Sequence, residues 1–150
     1  MECPYCHKQL TEVTNSRPTR HNSQIWRRRI CLHCQQIFTT HEIVDLSQVV
    51  VVKKSGKPEM FSRFKLYSGI HGAMLHKTPN RELISENLTR EIEREILFLK
   101  RKKISTTEIA DIVLKKLRKS HTSTFMRFLA YCKDIKSDVQ MQRELQKYMV

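Results

Sequence analysis

The sequence predicts an α+β chain: a small zinc-ribbon-like module at the N-terminus, then a mainly helical domain that opens on a short β-hairpin. Three observations carry this. Two Cys-x-x-Cys pairs lie within the first 34 residues. A β-branched run broken by a Gly- and Pro-containing turn begins near residue 49. From about residue 63 onward the apolar residues recur at helical spacing. A length of 150 residues holds one average domain or two small ones.

The cysteine pairs come first. Cys3-Pro4-Tyr5-Cys6 and Cys31-Leu32-His33-Cys34 are separated by 24 residues. Two residues between cysteines let a tight turn aim both sulfurs at one point. Two such turns supply the four thiolates of a tetrahedral structural Zn²⁺ site, one ion per subunit. The span between the pairs suits a β-hairpin arm. Disulfides are disfavoured because the N-terminus reads without a secretory signal. A redox pair is disfavoured because no βαβ context surrounds it. Four sulfurs leave no open coordination position for zinc catalysis. His7, His33 and His41 are therefore expected as neighbours of the site rather than ligands.

Residues 1–48 otherwise read as short polar pieces, with turn signals at Asn15-Ser16 and Arg17-Pro18. Ile25-Trp26-Arg27-Arg28-Arg29-Ile30 runs into the second cysteine pair. On a strand, Arg27 and Arg29 face one way and Arg28 the other. Guanidiniums held beside a metal knuckle suit bidentate contacts to phosphate or guanine. Trp26 suits packing over the ribbon or stacking on a sugar or base. Arg17 and Arg20 extend the patch.

The second domain begins with Val49 to Lys54, turns at Ser55-Gly56-Lys57-Pro58 and resumes at Glu59-Met60-Phe61. Lys53, Lys54, Lys57 and Lys65 surround this turn, which reads either as a basic hairpin that binds nothing or as one that holds a triphosphate by charge alone. Glu59 suits accepting hydrogen bonds from an amino group or a ribose hydroxyl. Leu66, Ile70, Ala73 and Met74 mark a helix over about 63–76. Pro79 and Asn80 open the next, where Leu83, Ile84, Leu88, Ile92 and Ile96 recur at helical spacing. Ser105-Thr106-Thr107-Glu108 has the form of a capping box ahead of Ile109, Ile112, Val113 and Leu117. Phe125, Phe128, Leu129 and Cys132 stripe another helix, and Leu145 and Met149 continue weakly into a tail. The expected divisions are 1–48, 49–136 and a C-terminal helical tail at 137–150.

Charge and cysteines do not coincide. The net charge is +13, from 28 Lys and Arg against 15 Asp and Glu. Residues 1–48 hold only six of those bases and four of the acids. Four metal-bound thiolates would make that segment nearly neutral, so most of the excess lies after residue 48. Such an excess favours a polyanionic partner, nucleic acid or nucleotide. No apolar run reaches the roughly 18 to 20 residues of a membrane span. There is no G-x-x-x-x-G-K-[ST] loop, which argues against a P-loop hydrolase. Paired carboxylates, a nucleophile with its base and an open metal site are all missing, which argues against an enzyme.

The ordered set of motifs resembles one family. Cys3-Pro4-Tyr5-Cys6, Asn15-Ser16-Arg17, Arg27-Arg28-Arg29-Ile30-Cys31, Cys34 and Phe38-Thr39-Thr40-His41-Glu42 follow in the order and spacing of the NrdR-type bacterial repressors of ribonucleotide reductase genes. Val52 to Phe61 and Phe125-Met126-Arg127-Phe128 extend the resemblance to about residue 136. It implies a zinc ribbon that binds double-stranded operator DNA, joined to an ATP-cone domain that binds ATP and dATP. It also implies a homo-oligomer whose size the nucleotide sets, acting on the nucleoid in a bacterial cytoplasm. The family's zinc ligands fall on Cys3, Cys6, Cys31 and Cys34, and its DNA-contacting arginines on Arg17, Arg27, Arg28 and Arg29. Its nucleotide-contacting residues fall on Val52, Lys53, Lys54, Glu59 and Lys65. The chain departs from the family at Trp26, where a fourth arginine is usual, and at Asn15, where aspartate is usual. It departs again at Phe125 and Cys132, where tyrosines are usual. The alternative reading is a zinc-ribbon module for RNA or a protein, without nucleotide sensing.

Overall fold

The computed structural model describes residues 1–19 and 24–148. The chain forms two compact units, Met1–Asp45 and Leu46–Val150.

The first unit is a three-stranded antiparallel sheet. Its strands are β1 (Thr11–Pro18), β2 (Gln24–Cys31) and β3 (Ile37–Ile43), with β2 in the centre. The turns expected at Asn15-Ser16 and Arg17-Pro18 are strand instead. Pairing with β2 overrides the local turn propensity, as cross-strand contacts commonly do. A bulge between Val13 and Asn15 accommodates Thr14, whose hydroxyl donates to the Arg28 carbonyl at 3.2 Å. Pro18 closes an edge strand, where its missing N–H breaks no ladder bond. Arg20 lies outside the described residues. Among the described residues of this unit only Cys3, Cys31 and Gln24 are buried. The sulfur cluster is thus nearly all the interior the unit has.

The second unit starts with β4 (Val50–Val52) and β5 (Pro58–Met60). Gly56 sits in their connection at φ +82°, a left-handed conformation that a side chain would strain. Then come α1 (Arg63–Ala73), α2 (Arg81–Phe98), β6 (Lys103–Ser105), α3 (Thr106–Ser120), α4 (Thr122–Lys133) and α5 (Asp138–Gln146). The sheet order is β5-β4-β6: β4 is antiparallel to β5 and parallel to β6. The strand pair expected from sequence is therefore the first part of a three-stranded sheet. The helices pack around Ile70, Met74, Ile92, Leu114, Leu117 and Leu129, all essentially inaccessible. Leu46, before the expected start at 49, belongs to the same cluster.

Two helix ends have specific causes. Helix α1 stops at Ala73 rather than 76. The Arg81 guanidinium donates to the His71 carbonyl from Nη2 at 2.8 Å and Nε at 3.1 Å. That carbonyl is one that a further turn would use. Helix α3 begins at the capping box read from sequence. The Ser105 hydroxyl accepts from the Glu108 N–H at 3.1 Å, and Glu108 accepts from the Ser105 N–H at 2.8 Å. The tail forms α5, capped by Ser137. Just after it, Tyr148 is buried, meets Phe125 edge-on and donates to Asp111 at 2.6 Å, and Met149 lies outside the described residues.

Candidate functional site

The two cysteine knuckles have matching backbones. His7 donates to the Cys3 carbonyl at 3.0 Å and Gln35 to the Cys31 carbonyl at 2.9 Å. Cys3 donates to the Lys8 carbonyl at 2.9 Å and Cys31 to the Gln36 carbonyl at 3.0 Å. The residue after each pair, His7 at φ 57° and Gln35 at φ 58°, turns the chain through the left-handed region. The result brings all four sulfurs within 4.8 Å of one another. Cys3 and Cys34 lie 3.7 Å apart, and Cys6 and Cys31 3.6 Å. A tetrahedron with metal–sulfur bonds of about 2.3 Å has edges near 3.8 Å, so the donor set fits a tetrahedral thiolate metal such as zinc.

The electrostatics agree. The backbone amide of Cys34, followed by that of His33, brings the Cys31 thiol down to about 7 against burial. The amide of Lys8 favours the Cys6 thiolate, yet burial and the three neighbouring sulfurs raise it to about 12. Four thiols this close cannot all ionise unless a cation compensates them. His7 is bonded to Glu2 at 2.7 Å, and His33 and His41 are exposed, so among the described residues the metal cluster is all cysteine.

The register of β2 sorts the arginines by face. Arg28 stands opposite Asn15 and Thr39, and Trp26 opposite Arg17 and His41. Directly paired residues share a face, so Arg17, Trp26 and Arg28 lie together. Arg17 and Arg28 are exposed and make no ion pair among the described residues. Arg27 and Arg29 occupy the other face, half-buried and already engaged. Arg27 pairs with Glu42 at 2.6 Å, and Arg29 donates to the Thr40 hydroxyl at 3.1 Å. Asn15, where the resemblance leads to aspartate, lies beside Arg28.

In the second unit, a recess of about 220 Å³ lies beneath the β4–β5 hairpin, against α1, α3 and α4. Glu59 and Lys65 form its polar side. Phe61, Leu66, Ile109, Phe128 and Tyr131 give it apolar walls. Glu59 accepts from Lys53 at 2.7 Å and from Lys65 at 2.8 Å. Lys53 and then Lys65 hold its carboxyl below the usual range. Lys54 borders an adjoining pocket of about 410 Å³ with Tyr131 and Cys132, and its Nζ donates to the Cys132 carbonyl at 2.8 Å. Val52 lines neither, and is half-buried between Pro58 and Ser105. The structure therefore brings Lys53, Glu59 and Lys65 together and puts Lys54 next door. Leu66, Ile109 and Phe128 stand in the sequence as stripes of ordinary core, and only the fold shows them lining the recess. Phe125 packs on Tyr148 and lines neither cavity, whereas Cys132 lines both.

Comparison with known proteins matches both units in order. Residues 1–42 match the family described as the N-terminal domain of transcriptional repressor NrdR-like proteins. Residues 49–138 match the ATP cone domain. The Transcriptional repressor NrdR of Caldicellulosiruptor bescii is 35% identical over 149 residues, covering 99% of this chain and 97% of that protein. The protein of that name from Agathobacter rectalis is 34% identical, covering 99% and 98%. That from Kosmotoga olearia is 36% identical over 136 residues, covering 91% and 85%. These relatives carry the name of a regulator rather than a catalyst. With its ribbon and its cone both matched, and relatives alike along nearly its whole length, the chain belongs to the NrdR family of transcriptional repressors.

Proposed function

We propose that this protein is a nucleotide-sensing repressor of ribonucleotide reductase genes. Zn²⁺ held by Cys3, Cys6, Cys31 and Cys34 folds the ribbon, and the ribbon reads operator DNA. Arg17 and Arg28 are the readers, because they are exposed on one face beside Trp26 and carry no competing carboxylate. Arg27 and Arg29 brace the other face through Glu42 and Thr40, and reach phosphates when those contacts open. The cone takes ATP or dATP in the recess under its hairpin. Lys53 and Lys65 exchange Glu59 for the triphosphate, Lys54 lies at the rim, and Val52 supports the strand that carries them. The nucleotide sets the size of a homo-oligomer, and that assembly sets whether paired ribbons reach paired operator boxes. This is coupling between two sites through a shared equilibrium. Such a protein works in the bacterial cytoplasm, on the nucleoid.

The carrying observation is the union in one chain of an arginine-bearing ribbon and a cone recess rimmed by lysines. Operator binding by Arg28→Ala tests the ribbon half. Affinity should fall and the salt slope of log K should shrink by about 0.9. Unchanged affinity at moderate salt would remove the arginine face from the reading. Saturable ATP and dATP binding tests the cone half, and its absence would favour a ribbon module that senses no nucleotide.

A further inference from the structure

A second cleft, of about 940 Å³, lies between α2, the last turns of α3 and Lys147 and Tyr148 of the tail. It shares no residue with the recess at Glu59 and Lys65. Five permanent cations line it: Lys115, Lys116, Arg118, Lys119 and Lys147. Only two carboxylates, Glu91 and Glu95, line it with them, and Lys116 lies 3.5 Å from each. Lys147 pairs with Glu144. Lys115, Arg118 and Lys119 are exposed and form no salt bridge among the described residues. Asp111, a carboxylate on which Lys115 also acts, is already bonded by Lys133 and Tyr148.

These three cations stand at i, i+3 and i+4 on α3, so they form one stripe about 6 Å long. Like charges at that spacing repel and weaken a helix. The negative end of α3 offsets part of the repulsion. Solubility alone does not require the three to crowd one wall of a concavity. Ile84, Leu88 and the buried ring of Tyr148 supply apolar surface in the same cleft. Low-dielectric walls focus the field of the cations into the space they enclose. One carboxylate cannot satisfy several cations spread over that length. A chain of phosphates presents oxygens along it, and both ammonium and guanidinium groups bind them well.

We propose that this cleft is a second anion site that binds a chain of phosphates, separate from the cone recess. Two sources share that chemistry: a free polyphosphate chain and the backbone of a nucleic acid strand. The test uses the full-length protein, a variant with Lys115→Gln, Arg118→Gln and Lys119→Gln, and a control of equal net charge with Lys77→Gln, Lys100→Gln and Lys102→Gln. Each also carries Lys53→Gln and Lys65→Gln, so that the cone recess does not take the probe, and is titrated at low salt with inorganic tripolyphosphate and with a short duplex of non-operator sequence. With a free polyphosphate, the cleft variant should bind tripolyphosphate at least tenfold more weakly than the control. With a DNA strand, its salt slope on the duplex should fall by roughly 2 to 3 relative to the control. Either result supports the site and identifies its source. If the cleft variant and the control behave alike in both arms, the proposal is overturned. Should the triple variant fail to fold, Arg118→Gln against Lys102→Gln is read in the same way, with a smaller expected difference.

Discussion

Glu59 is bonded to two lysines at once, so a triphosphate that uses Lys53 and Lys65 must displace a carboxylate. This sets the sign of its pH dependence. The folded-state pKa of Glu59 is depressed, first by Lys53 and then by Lys65. Its contribution to stability is therefore present above the ordinary carboxylate range and is lost as pH falls through the lower folded value. Glu59→Gln should flatten the acid side of the stability profile in that window, read by thermal unfolding at stepped pH. A profile identical to wild type would mean that the lysine contacts are not formed in solution. Lys65→Ala should weaken ATP binding by roughly tenfold or more, because a charge-assisted hydrogen bond contributes about 1.5 to 3 kcal/mol. Folding stability should change little, since the pair is at the surface. Calorimetric titration beside a melting curve separates the two effects. The lysines and Glu59 were legible in the sequence because they cluster around one turn. Their mutual pairing was not, because it depends on how α1 meets the hairpin.

The ribbon and the tail show what local sequence encodes at the scale of an element. Cys-x-x-Cys is a local motif, and each pair folds into its knuckle with bonds to its own neighbours. The capping box at Ser105 and Glu108 is equally local, and it appears as read. Strand β6 was hidden because Lys103-Ile104-Ser105 is short and basic, and its register comes from β4, some fifty residues away. Strand β1 was obscured for a related reason: Asn15, Ser16 and Pro18 favour a turn, and only the central strand overrules them. With almost no interior besides its sulfurs, the ribbon should depend on its metal for folding. Cys31→Ser, or removal of the metal by a chelator, should unfold residues 1–45 and leave the cone's melting transition in place. Amide exchange read residue by residue checks this, and a protected ribbon without metal would refute it. Acid should act in the same direction, because protonated thiols release the metal. The tail is held differently. Burial opposes the Asp111 carboxylate, but the Tyr148 hydroxyl and then Lys133 keep it below the ordinary range. Tyr148→Phe removes that bond while keeping the ring against Phe125, and should cost about 1 kcal/mol in denaturant unfolding. No loss of stability would mean that the tail is not docked in solution.

Across the whole molecule, the division of charge is the organising fact. The ribbon concentrates a few arginines on a module that four metal-bound thiolates would make nearly neutral. The cone carries most of the excess of +13, in line with the nucleotide binding proposed for it. Net charge alone identifies the class of partner but not which unit meets which anion. On the proposed reading, the strand register supports the ribbon as the DNA reader and the lysine-rimmed recess supports the cone as the nucleotide site. The central claim is that the nucleotide in the cone governs DNA binding through assembly. It is tested by determining mass in solution with ATP, with dATP and with both, and by measuring operator affinity on the same samples. The nucleotide states should differ in mass, and operator affinity should follow the mass. Equal mass and equal affinity in every nucleotide state would contradict the claim.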